Sequence, residues 1–478
     1  MLKVAININK ELYKETIYVL DFIFNTIGIQ YELTEINYCD LYYGKASEQL
    51  NRNAVYIPSY DSRPDADLKH KRSHNIDLLY TDSDPEPNYF YNDSRFGFDI
   101  IYIIFCLLTN HAEVSENQKD FLGRFMSSRN PLIEFNLNAI PIVDIYLKEI
   151  EKILLKKFPN LKAKEKWPEG KKAAAILTHD VDTPEIRIGE KLRGITRISE
   201  RRISNIIYDL FIIFKEIPFL FFYKNLEASF KLITDIEEKY NYRSSFNFIS
   251  MYEYDSLDPT YNIMSEKYRN VIRHLKDNCW EIGLHASTTT FNSPQRLSEE
   301  KECLEAVCNN SIHGVRQHFL LFNPFKTNID HEKSGFTYDS SLGFYDKTGL
   351  RVGTSNPFFP FDNREKRQLN LLQLPLTIMD SALHEEISGN NIIFKALDKI
   401  GIQPVNIEKA FSLCKQLIDN IIDTNGMITL LWHVKYMNYN WLTLYEKLLK
   451  YLSENDLWVT TPCEVNKWWR ERYLLLNK

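Results

Sequence analysis

Residues 173–184 read Ala-Ala-Ala-Ile-Leu-Thr-His-Asp-Val-Asp-Thr-Pro, and their pattern decides the fold class. Ala173 to Leu177 form a small apolar run behind Lys171 and Lys172, the signature of a strand buried on both faces. The run stops abruptly in polar residues, and Pro184 closes it. Strand side chains alternate, so Asp180 and Asp182 fall on one face and His179 and Val181 on the other. Carboxylates at the carboxyl end of a buried strand stand where α/β enzymes place ligands and catalysts. Two such groups repel unless a cation lies between them, and one acting as metal ligand with the other as base resolves the conflict. Two solvated acids at a polar strand end would look the same on this stretch alone. His179, facing the other way, is read as structural.

Working outward, the chain from 173 alternates between the two periodicities. Strand-like runs occur at Ser245–Ile249, Glu281–His285, Gly314–Phe319, Leu371–Thr377, Met427–Trp432 and Trp458–Thr460. Helical patterns lie between them at Leu226–Tyr240, Ser265–Asn278, Pro294–Asn309, Ile407–Ile422 and Leu442–Ser453. This alternation predicts parallel strands joined by crossover helices, and the number of repeats favours an irregular (β/α) barrel of about seven strands.

Residues 1–165 read as a smaller α/β or α+β unit, with a first strand, a helix over Lys10–Thr26, a strand at Val55 and a helical pattern over Ile140–Leu155. His70 and His74 have a spacing that would suit a metal on a helix. Their setting, Lys-His-Lys-Arg-Ser-His, repels a cation, so a solvated face is expected. Glu165 to Lys172, with Pro168 and Gly170, reads as the linker, which puts the barrel at 166–478. An insertion at about 186–224 is basic first (Arg187 to Arg202) and then amphipathic and aromatic. Its 190–222 portion could lie against an anionic membrane face, although a segment of this kind more often covers the barrel or a dimer partner.

The chain has 478 residues, 44% of them hydrophobic and 26% charged, which is the composition of a globular protein of two or three domains. A net charge of −6 gives no reason to expect nucleic acid. The 28 Tyr and 29 Phe supply core and also stacking surface for sugars. Seven dispersed cysteines, an amino terminus without a secretory pattern and the absence of a long apolar run lead to the expectation of a cytoplasmic protein, at most peripheral to the inner face of the membrane.

Other strand ends carry polar groups: His285 after Glu281-Ile-Gly-Leu, Arg316 and His318 in Gly314-Val-Arg-Gln-His-Phe, and His433 after Met427-Ile-Thr-Leu-Leu-Trp. A lone histidine there is usually structural, but all of these fall at the carboxyl ends, where a barrel builds its site. In order and approximate spacing, Thr178-His-Asp-Val-Asp182, Gly283-Leu-His285, Arg316-Gln-His-Phe319 and Leu431-Trp-His433 resemble the motifs of polysaccharide deacetylases (carbohydrate esterase family 4). The match looks closest to a cytoplasmic bacterial branch with a separate amino-terminal domain. Over 1–165 the resemblance rests on features such as Phe98-Asp-Ile and Gly123-Arg-Phe.

The resemblance implies roles. Asp180 corresponds to the general base, Asp182 and His285 to metal ligands, Arg316 to the partner of the base, and His433 to the acid that protonates the leaving group. The implied metal is divalent, zinc first, with cobalt or nickel as alternatives. The sequence departs from the family twice. Thr289 stands where a second histidine usually follows the first, and His318 stands where proline usually precedes the aromatic residue. His318 is therefore read as a replacement third ligand, with a place in the substrate cleft or a barrel hydrogen bond as its alternatives. Asp339, Tyr345 and Arg351, in the polar and aromatic segment after Tyr338, are candidates to hold a sugar or equally to pack the barrel rim, and Trp432 is a candidate hydrophobic wall, with core packing as the safer reading.

The activity implied is removal of an N-acetyl, or less readily an O-acetyl, group from a saccharide or polysaccharide precursor. Hydrolysis of another non-peptide C–N bond, or an inactive saccharide-binding or scaffold role in surface-glycan biosynthesis, would fit the same residues.

Overall fold

The structure, a computed structural model, describes residues 1–51, 53–59, 67–73, 75–81, 87–92, 94–115, 119–182, 226–251, 257–259, 261–389, 406–434 and 439–477. The amphipathic segment within 186–224 lies outside these. No helix among the described residues is long and apolar enough to cross a membrane.

The first strands are β1 (Leu2–Asn7), β2 (Tyr31–Leu33), β3 (Leu41–Gly44) and β4 (Val55–Pro58), followed by a hairpin of β5 (Lys69–Ser73) and β6 (Ile76–Tyr80), then β7 (Tyr91–Asn92) and β8 (Arg95–Phe96). Six of them form one sheet in the order β2-β1-β3-β4-β8-β7, with β5–β6 apart. Helices Tyr13–Ile27, Ile100–Leu108 and Ile142–Lys157 bury apolar faces in the core beside this sheet. His70 sits on a strand, not a helix, and its Nε2 lies 2.8 Å from Asp77 Oδ1 across the hairpin.

The second sheet is parallel. Its strands are β9 (Ala173–Val181), β10 (Ser245–Phe248), β11 (Glu281–Ala286), β12 (Gly314–Gln317) and β13 (Tyr338–Asp339). After a small hairpin of β14 (Phe361–Asp362) and β15 (Arg367–Gln368) come β16 (Leu372–Gln373), β17 (Ile378–Met379), β18 (Met427–Leu431) and β19 (Leu457–Thr460). The order is β16-β13-β12-β11-β10-β9-β18-β17, with β19 also on β9, and the sheet curls toward a deformed barrel. Nine strands are present among the described residues instead of about seven. The expected strand Leu371–Thr377 is split because Pro375 cannot donate to a ladder, and the two-residue strands β13 and β17 are too short to leave a period in sequence.

All nine residues of β9 are buried, as a strand covered on both faces requires. Ala175, Leu177 and Val181 join the core beneath the helices, while Ala174 and Ile176 face a second cluster with Trp167, Val465 and Trp469. The flanking helix Glu266–Asp277 buries Tyr268, Val271, Ile272 and Leu275, one stripe at helical spacing. The charged segment read as a linker is anchored: Trp167 is buried and its indole N–H donates to Asn425 O at 2.8 Å.

Candidate active site

The sheet register sets the site. Asp180 on β9 stands beside Asn247 on β10, Asn247 beside Gly283 on β11, and His285 beside Arg316 on β12. Asp180 Oδ1 accepts from Asn247 Nδ2 at 2.8 Å and from Arg316 Nη1 at 3.1 Å. Gly283 makes the first of these bonds possible, because a Cβ there would lie 2.2 Å from Asn247 Oδ1. Arg316 is fully buried and also donates to Thr178 Oγ1 at 2.8 Å and Ser340 O at 3.0 Å. Burial alone would raise the pKa of Asp180, but the positive charges of His285, Arg316 and His433 outweigh it and hold the carboxyl below its ordinary value.

Asp182 is the meeting point. Its Oδ1 lies 3.2 Å from His285 Nε2 and 3.8 Å from His318 Nε2, and its Oδ2 lies 3.8 Å from His433 Nε2. His285 Nδ1 donates to Arg316 O at 3.0 Å; a carbonyl can only accept, so Nδ1 carries a proton and Nε2 is the nitrogen turned toward Asp182. His318 is held in the same manner, its Nδ1 bonded to Asp258 Oδ1 at 2.7 Å. Burial would lower the pKa of His285, but the carboxylates of Asp180 and Asp182 outweigh it and raise it.

His318 reaches the site through an unusual turn. The chain leaves β12 by His318-Phe319-Leu320, with Phe319 and Leu320 both in the left-handed region at φ 58° and 52°. Such backbone costs on the order of 1–3 kcal/mol per residue and persists where the surroundings enforce it. Here the turn stacks Phe319 on the His318 ring with centroids 4.0 Å apart.

Asp182, His285 and His318 are buried, and one ligand atom from each lies within 4.8 Å of the others. The group could hold a metal ion, and the chemistry fits: one carboxylate and two imidazoles suit a zinc-type cation and leave a coordination position open. The distal nitrogen of each histidine is already fixed by a carbonyl or a carboxylate, the support that metal-binding imidazoles need. Thr289 is not one of these three and bonds Ser287 Oγ at 2.8 Å.

His433 follows β18. Its Nδ1 bonds Asp380 Oδ1 and its backbone N–H donates to Asp380 Oδ2, both at 2.6 Å. A cavity of about 240 Å³ opens over these groups, lined by Asp180, Asp182, His285, His318 and His433 together with Arg124, Gln317, Tyr345 and Ser381.

Six of the sequence candidates (Asp180, Asp182, His285, Arg316, His318 and His433) thus come together. Tyr345 reaches the same cavity, but three further candidates point elsewhere. Asp339 is fully buried and is taken up by His331 Nδ1 at 2.6 Å, Ser341 and Gln373. Arg351 forms a two-bond pair with Glu113, both bonds 2.7 Å, so its loop docks on the N-terminal half and does not grip a ligand. Trp432 is core, packed against Trp441 and Tyr445. Sequence reasoning missed Asn247, Asp258, Asp380 and Arg124. Gly283 beside His285 was the one trace of Asn247, and Gly123-Arg-Phe the one trace of Arg124.

Residues 4–159 match a family of unknown function (DUF7033). No curated protein matches the chain. Among solved structures it is similar to a protein of Mycobacterium smegmatis assigned as a polysaccharide deacetylase, at 16% identity and TM-score 0.41, over 64% of this chain and 93% of that one. It is also similar to Puue allantoinase, at 13% identity and TM-score 0.42, over 65% and 94%. A third is the peptidoglycan deacetylase PdaC of Bacillus subtilis, at 11% identity and TM-score 0.28, over 64% and 96%.

Proposed function

We propose that the chain is a metal-dependent hydrolase that removes an N-acetyl or O-acetyl group from a saccharide. The observation that carries this reading is the convergence on one buried cavity of an ionised aspartate, an Asp/His/His donor group and a carboxylate-oriented histidine. On this reading Asp182, His285 and His318 hold the ion, zinc first and cobalt or nickel as alternatives. When bound, such an ion supplies Lewis acidity toward the acyl carbonyl and the attacking water. Asp180, kept charged by Arg316 and Asn247, takes the water's proton. His433, its Nδ1–H held by Asp380, acts as the imidazolium and gives its Nε2 proton to the departing group. Residues 166–478 would carry the chemistry, and 1–165 would form an accessory unit.

The test is metal content by elemental analysis for wild type, Asp182→Ala, His285→Ala and His318→Ala, followed by acetate release from acetylated amino sugars. One equivalent in wild type, lost in all three variants, with acetate released, is expected. No metal after supplying zinc, cobalt or nickel would overturn the enzyme reading in favour of a binding role. A second reading, hydrolysis of another C–N bond in a small molecule, is favoured by the cavity size. About 240 Å³ is below the range of roughly 300–1,000 Å³ usual for drug-sized ligands, so the cavity admits one acylamide end or a small molecule. Ammonia in place of acetate as product would select it.

A further inference from the structure

The turn Lys119–Phe125 belongs to the N-terminal half of the chain, yet it delivers a side chain to the cavity. Lys119 and Phe125 pair as an antiparallel bridge. Asp120 Oδ1 accepts the backbone N–H groups of Leu122 and Arg124, both at 2.9 Å, and Gly123 takes the left-handed φ of 81° that closes the turn. Arg124 is thereby aimed. Its Nε donates to Asp120 Oδ2 at 2.7 Å, and its Nη1 donates at 3.1 Å to the carbonyl of Phe319, in the strained turn that carries His318. The guanidinium carbon lies 3.7 Å from the centre of the Tyr345 ring, and the side chain is 13% exposed. Among the described residues Nη2 donates to no protein atom, and Arg124 lines the same cavity as Asp182 and His285.

A nearly buried guanidinium with one edge neutralised and another unspent is built for a planar anion. Asp180 does not need it, since that acid is answered by Arg316. We propose that Arg124 is a specificity residue supplied by the N-terminal half, taking a carboxylate or phosphate carried by the saccharide beside its acyl group. Tyr345 holds the guanidinium plane from one face. The proposal rests on reading the cavity as a saccharide deacetylase site and names the substrate class of that site as anionic.

The test is calorimetric titration of the metal-loaded full chain with N-acetylglucosamine 1-phosphate, N-acetylmuramic acid and N-acetylglucosamine, for wild type, Arg124→Lys and Arg124→Ala. Wild type is expected to prefer at least one charged probe by about tenfold or more, the size of a charge-assisted hydrogen-bond pair. Which charged probe wins distinguishes phosphate from carboxylate. Arg124→Lys keeps the charge but loses the fork, so in both variants the ratio of affinities should fall toward one. Equal affinity for all three probes in wild type, or an equal loss for charged and neutral probes in Arg124→Ala, would make Arg124 a strut between the halves and overturn the proposal. Acetate released without any charge preference would keep the deacetylase reading and sink this one. A charge preference dependent on Arg124, without acetate release, would do the reverse.

Discussion

The carboxylate of Asp380 takes His433 from two sides, accepting its backbone N–H and its ring Nδ1–H at 2.6 Å each. One acid thus sets where the ring sits and keeps a proton on Nδ1, so that Nε2 is the nitrogen turned toward Asp182.

On this geometry, Asp380→Asn should leave metal content intact and lower kcat by roughly 10²–10⁴-fold, the share that a positioned proton donor contributes. Equal losses in kcat and in bound metal would instead show that Asp380 only supports the fold. Kinetics and elemental analysis on one preparation separate the two.

Asp258 holds His318 as Arg316 O holds His285. Burial would raise the pKa of Asp258, but its hydrogen bonds from His318 and Thr288 outweigh that and lower it, so it is a charged acceptor at neutral pH. Asp258→Ala should weaken zinc affinity by about 10–100-fold while leaving the unfolding transition cooperative. Competition with a chromogenic chelator measures this directly.

Glu281, at the opposite end of β11 from His285, contacts Tyr338 and the backbone N–H of Cys463, and burial pushes its pKa from 4.5 up to about 7. A carboxyl with a raised folded-state pKa binds its proton more tightly when folded. Its contribution to stability is therefore complete below pH 4.5 and is lost as pH rises through about 7. Glu281→Gln should remove this loss. Urea midpoints at pH 5 and pH 8 should lie closer together in the variant than in wild type, and an unchanged gap would count against it.

Arg351 and Glu113 form a buried pair, their side chains 7% and 2% exposed. Removing one partner strands the other charge, at a cost of about 3–5 kcal/mol. Arg351→Met and Glu113→Gln should each destabilise by that order in urea titration, and the double variant should recover part of the loss. A raised KM at unchanged stability would return Arg351 to the substrate site.

The alternation that separates Asp180 and Asp182 from His179 needs nothing beyond chain order, because a strand turns successive side chains to opposite faces. His179 does face away, its ring bonded to Glu237 and to Trp432 O. The strand ends bearing His285, Arg316 and His433 were legible for the same reason, as were the long helices whose apolar stripes repeat every three or four residues.

The supporting groups were not legible. Asn247, Asp380, Asp258 and Arg124 lie 67, 53, 60 and 195 positions from the residues they bond, and no local pattern separates them from solvated acids, amides or bases. Arg351 failed as a sugar ligand because irregular chain has no period: its direction was set by Glu113 in the other half of the molecule. The sequence by itself determined the parallel sheet, the face of β9 that carries the acids and the strand ends that carry the candidate groups, since local periodicity dictates each of these. Only the tertiary structure decided which groups orient the histidines, that His318 enters beside Asp182, and that the N-terminal half reaches the cavity through Arg124, because these contacts exist only once distant segments have packed together.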